Sequence, residues 1–220
     1  MSQILEVPQP FDVDKFSEFY LNLKMDYQYL SNDGRYLGMT VFNDTNKVIV
    51  YLPEQHCADY IHVDCGTVII DNSLLDKNQE HRYRFTLGHE CGHWIFHKSY
   101  FGYNPNQLML YEITSPFLKC RETNQNYSYT IQSKWDESRW MEWHADKFSA
   151  GLLMPITSVQ VLLDQAKIDF LHNSFSEFRA IRLLSNTFNV SEQAAYLRLC
   201  DLGYIQRTRS EEEYQQLSIL

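Results

Sequence analysis

Apolar residues recur along this chain in two rhythms, and the change between them marks its elements. Over residues 36–75 they gather in three short runs, YLGMTVFN, KVIVYLPE and GTVIIDNSLL, set off by the turn residues of NDG and NDTNK. Runs of this length, rich in β-branched and aromatic residues, predict strands of a small antiparallel or mixed sheet. Before them, DVDKFSEFYLNLK carries Phe16, Phe19, Tyr20 and Leu23 at helical spacing. After them, HRYRFTLGHECGHWIFHK predicts a helix with Phe85, His89, Gly92, His93 and Phe96 on or near one broad face. From Tyr100 to about Lys134 the pattern is irregular, with two candidate strands, QLMLYEI and YSYTIQS. A second strong helix is expected from Asp136 to Met154, stopped by Pro155. Ile156 to about Leu202 reads as helical, and a polar, acidic tail follows. The class this predicts is α+β, with a first domain over residues 1–155 and a small helical one over 156–220.

Composition narrows the setting. A chain of 220 residues buries a core without covalent staples. Its five cysteines, Cys57, Cys65, Cys91, Cys120 and Cys200, are an odd number with no CxxC pair. With no charged-then-apolar leader pattern, the expectation is reduced thiols in the cytoplasm. No uninterrupted apolar run approaches the ~18 residues of a membrane span. The net charge of −9 argues against broad nucleic-acid binding.

The chemistry lies in His89-Glu90-Cys91-Gly92-His93. Residues i and i+4 of an α-helix differ by about 40° in azimuth and one turn in height. His89 and His93 can therefore aim two imidazoles at one point, where zinc would accept their nitrogens. Glu90 sits about 100° further round, too far to share the inner shell easily but near enough to reach a water on the ion. A metal-assisted hydrolase needs that arrangement, because the ion acidifies the water and the carboxylate takes its proton. Cys91 points away and reads as packing. Gly92 costs about 1 kcal/mol of helix stability relative to Ala, which implies a close neighbour. His97 repeats the i, i+4 spacing, but His89 to His97 spans about 12 Å of helix, so the three cannot share one ion. His97 reads as cleft-lining or structural.

A catalytic zinc site needs a third protein ligand. In EWHADKFSAGLLMP, Glu142 and Asp146 lie one turn apart on a shared face, with Ala145, Phe148 and Leu152 as a stripe for docking against the first helix. Glu142 can complete the shell while Asp146 accepts the outer N–H of a ligating histidine and fixes its tautomer. His144 is the rival ligand, and its bland alternative is an exposed histidine. Tyr100, Tyr103 and His144 are candidates for stabilising an oxyanion, by proximity alone.

These two segments resemble the ImmA/IrrE metallopeptidase family, whose pattern is an R-F-T-L-x-H-E-x-G-H helix followed by an E-x-x-A-[ND]-x-F-A-x-x-L-L-M-P helix. LSNTFNVSEQAAYLRLCDLGYI is similar to the family's downstream segment, so the resemblance covers roughly residues 60 to 205. It implies a zincin-like fold of the gluzincin type, zinc on His89, His93 and Glu142, and Glu90 as the catalytic glutamate. It also implies a protein substrate, a helix-turn-helix repressor of a mobile element or stress regulon. Cys91 departs from the family's aliphatic residue, as do Ser149 and Gly151 from its usual residues. The 48 residues between His93 and Glu142 form an expanded connection.

The C-terminal IRLLSNTFNVSEQAAYLRLCDLG reads as helix, turn, helix, with Ser191 as N-cap and Gly203 as stop. Its second helix carries a single basic residue, Arg198, and Ile156–Leu220 holds six Lys/Arg against eight Asp/Glu. A DNA reader carries a basic footprint, so a structural or substrate-docking role is expected instead. The competing class is a non-catalytic regulatory or toxin–antitoxin partner that binds a repressor and uses zinc to hold its fold.

Overall fold

The computed structural model describes residues 7–102, 117–121, 137–170 and 175–206. It has a mixed α+β fold and divides into two compact units, one of which is Asp12–Ser149. In that unit, β1 (Lys24–Gln28), β2 (Tyr36–Val41), β5 (Thr67–Asp71) and β6 (Phe117–Arg121) form a four-stranded sheet in the order β1-β5-β2-β6. β1 runs parallel to β5, while β2 is antiparallel to both β5 and β6. β3 (Thr45–Leu52) and β4 (Cys57–Val63) make a separate antiparallel pair.

Alternation along β2 explains what lies on each face of the sheet. Met39 and Val41 join Ile69 of β5, Val48 and Val50 of β3, Val63 of β4 and Leu30 in one buried cluster. Burying an aliphatic side chain of this kind fully contributes about 1.5–3 kcal/mol. Gly38 and Thr40 point the other way, toward α2 (Glu80–Phe101). That helix is buried without a break from Thr86 to His93. A helix is enclosed all round only when it has neighbours on more than one side. The sheet supplies one, and α3 (Glu137–Leu153) supplies the other.

In the other unit, α4 (Ile156–Gln165), α5 (Ser176–Phe188) and α6 (Glu192–Asp201) bury Val159, Leu163, Ile181, Leu184, Phe188 and Leu199. α5 ends at Asn189, which adopts the left-handed conformation at φ 53°. Ser191 then caps α6 by accepting a bond from the Ala194 amide at 3.1 Å. Gly203, at φ +79°, closes the helix, where the Tyr204 amide donates to the Leu199 carbonyl. Arg198, the one basic side chain of α6, is half-buried and donates to the Met154 carbonyl at 3.0 Å.

Several expectations need correction. The KVIVYLPE run does not join the main sheet; it pairs with β4 in a hairpin of its own. β1 and β4 escape the hydrophobic pattern because their sequences, KMDYQ and CADYIHV, are polar and largely exposed. The helical spacing in DVDKFSEFYLNLK yields only a single turn, α1 (Val13–Lys15), followed by a π-helical turn over Phe16–Tyr20 that leaves Phe19 and Tyr20 exposed. Phe96 sits at the edge of the α2–α3 contact, its ring against those of Phe148 and His144 with about half its surface exposed. The candidate strands QLMLYEI and YSYTIQS, and Tyr103, lie outside the described residues. No helix among the described residues is long and apolar enough to cross a membrane.

Candidate metal centre

The centre is built where α2 and α3 cross, and small residues set how closely they approach. A Cβ on Gly92 would lie 3.0 Å from the Ala145 Cα, and one on Gly88 would lie 2.6 Å from the Ser149 hydroxyl. Gly88 and Gly92 are one turn apart, as are Ala145 and Ser149, and they pair in reverse order. The helices are therefore antiparallel, and the close neighbour expected of Gly92 is the Ala145 backbone. Ser149 anchors the crossing by donating to the Phe85 carbonyl at 2.8 Å. Ala145 and Phe148 of the expected stripe, together with Ser149, meet the α2 glycines.

This crossing brings His89 and His93 of α2 to Glu142 of α3. One ligand atom from each lies within 4.8 Å of the others, so this buried group could bind a metal ion. The Nε2 atoms of the histidines are 2.8 Å apart. Glu142 places Oε2 at 3.3 Å from Nε2 of His89 and Oε1 at 3.6 Å from Nε2 of His93. A tetrahedral shell at zinc distances separates its ligand atoms by about 3.3 Å, within the spread seen here. Asp146 lies one turn after Glu142, and its Oδ1 is 2.8 Å from Nδ1 of His89. A carboxylate there draws the proton to Nδ1 and leaves Nε2 as a bare lone pair. The donor set, two imidazoles and a carboxylate held by an outer carboxylate, fits a divalent cation.

Glu90 lies against β2 of the sheet. It is fully buried, and its Oε2 lies 2.5 Å from the Thr40 hydroxyl, which is also 3.1 Å from the Glu90 carbonyl. Oε1 has no hydrogen-bond partner among the described residues and faces Gly38, where an added Cβ would come within 2.5 Å of it. Gly38 thus leaves the space that the carboxyl occupies. Burial pushes the Glu90 carboxyl up to about 7, against the pull of His89 and of the Thr40 bond, while Glu142 adds to the rise. A carboxyl held there is matched to taking and returning a proton near neutrality.

The other candidates fall outside the group. His144 is exposed and stacks on His97, with ring centroids 5.9 Å apart. Tyr100 donates its hydroxyl to Glu137 at 2.6 Å. Cys91 is buried, and burial pushes its thiol up to about 12, so it stays protonated as packing. Gly38 and Thr40 went unnoticed in the sequence; a glycine inside the apolar strand YLGMTV was the available sign of a close approach. No known family model matches the chain, and no curated protein is detectably similar to it.

Proposed function

We propose that this chain is a zinc-dependent endopeptidase that cleaves a helix-turn-helix repressor. The observation that carries the reading is the pairing of the two features above. Two buried histidines and a carboxylate meet within 4.8 Å, and the next residue along α2 is a buried glutamate held near pH 7. Two nitrogens and one carboxylate oxygen form a donor set suited to zinc, which in catalytic sites takes a water as its fourth ligand. When bound, the ion supplies Lewis acidity toward water and the scissile carbonyl. His89, His93 and Glu142 would hold it, with Asp146 fixing the His89 tautomer. Glu90 takes a proton from the attacking water and returns it to the leaving amine. The zincin-like assignment and the repressor substrate rest on the resemblance of the α2 and α3 motifs to the ImmA/IrrE family.

Co-expression with the helix-turn-helix protein encoded nearest the gene tests this reading, with an immunoblot of that partner. Wild type should truncate it, and Glu90→Ala should leave it intact with a rate loss of about 10²–10⁴-fold. The complete burial of Glu90 favours one rival, a non-catalytic partner that binds the repressor. An intact repressor in both lanes, still co-purifying, would select that rival.

A further inference from the structure

His97 follows His93 by one turn of α2 and is buried, yet it takes no place in the group formed by His89, His93 and Glu142. Its Nδ1 lies 2.9 Å from Nδ1 of His93. Its Nε2 is buried and has no hydrogen-bond partner among the described residues. A neutral imidazole carries one proton, on one of its two nitrogens.

The Nδ1–Nδ1 contact needs one donor and one acceptor. A cation on His93 Nε2 takes that nitrogen's lone pair, so the His93 proton then lies on Nδ1. His97 Nδ1 is the acceptor within reach of it, and the proton of His97 is then on Nε2.

We propose that His97 is a positioning residue for the metal centre, accepting the Nδ1 proton of His93 when the ion is bound. This rests on the reading of His89, His93 and Glu142 as metal ligands. His93 thereby has in His97 what His89 has in Asp146, an outer acceptor that fixes ring orientation and tautomer. The choice of acceptor sets the charge. A divalent ion with the carboxylates of Glu142 and Asp146 sums to zero, and neutral His97 leaves that balance unchanged.

Zinc affinity of the full chain, measured by competition with a chromophoric chelator, tests the role. His97→Leu keeps the volume and removes the acceptor, so it should weaken zinc binding by about 10–100-fold. His97→Asn places an amide oxygen near the position of Nδ1 and should restore affinity to within about threefold of wild type. Circular dichroism melts check that both variants fold. Ring-nitrogen NMR of the zinc-loaded wild type should show His97 protonated at Nε2, with Nδ1 bare. Wild type that binds zinc no more tightly than His97→Leu, or a zinc-loaded His97 protonated at Nδ1, would overturn the role while leaving the ligands standing. Wild type that takes up no zinc would overturn the centre and the role together.

Discussion

The Thr40 hydroxyl is within hydrogen-bond reach of two atoms of one residue, 2.5 Å from Oε2 of Glu90 and 3.1 Å from its carbonyl oxygen. One hydroxyl has one proton, so it cannot donate to both at once. When Glu90 is ionised, Thr40 donates to the carboxylate. When Glu90 is protonated at Oε2, the carboxyl donates to Thr40, which donates onward to the carbonyl. Thr40 can therefore follow the glutamate through a proton cycle. Thr40→Val keeps the shape and removes the bond to the charged form, worth about 1.5–3 kcal/mol. The acid limb of the pH–rate profile should then move up by about one unit or more, and Thr40→Ser should bring it back. A limb unmoved in Thr40→Val would mean that Glu90 is not the group titrating.

The raised Glu90 carboxyl also makes a prediction for stability without metal. Its folded value, about 7, lies above the ordinary 4.5. A group raised on folding contributes stability that is complete below pH 4.5 and is lost as pH rises through about 7. Glu90→Gln removes the charge while nearly keeping the shape. Metal-free Glu90→Gln should therefore gain on wild type as pH rises, by up to about 3 kcal/mol at pH 8, with little difference at pH 4. Titrating groups that are not coupled to Glu90 are common to both proteins and cancel in the comparison. Melting curves of the two apo proteins at several pH values read this directly. A constant offset would show that Glu90 ionises normally.

Two glycines on the two helices should behave oppositely. At Gly92 a methyl group would press on the Ala145 Cα at 3.0 Å, which is helix backbone and yields only if α2 and α3 separate. Overpacking of this kind costs about 1–3 kcal/mol and outweighs the ~1 kcal/mol gained from better helix propensity. Because Glu142 rides on α3, Gly92→Ala should also weaken metal binding. At Gly151 the nearest atom is a guanidinium nitrogen of Arg198 at 3.9 Å, so the methyl group has room. Gly151→Ala should raise stability by about 0.5–1 kcal/mol and leave the metal affinity alone. Equal effects at the two positions would show that the crossing does not depend on Gly92.

Much of the centre was legible because helical geometry is local. The i, i+4 spacing of His89 and His93, and of Glu142 and Asp146, fixes which side chains share a face, and the structure brings these four together. What spacing cannot give is the partner across space. Thr40 and Gly38 precede Glu90 by about fifty positions, and only the pairing of β2 against α2 explains them. His97 stood in plain view, but its contact with His93 depends on side-chain rotation, which the sequence does not fix. The sheet was harder for the same reason. β2 and β5 are largely buried on both faces, since one meets α2 and the other meets the β3–β4 pair. β1 and β4 are polar enough to pass for loop, and their backbone pairing is invisible in side-chain pattern.

Metal content is the most direct check on the centre. Native mass spectrometry of wild type, Glu90→Ala and Glu142→Ala, each loaded with zinc and desalted, counts ions per chain. One ion on wild type and on Glu90→Ala, with most of it gone from Glu142→Ala, is the predicted result. Full retention of zinc by Glu142→Ala would contradict the proposed ligand set and the catalytic reading built on it.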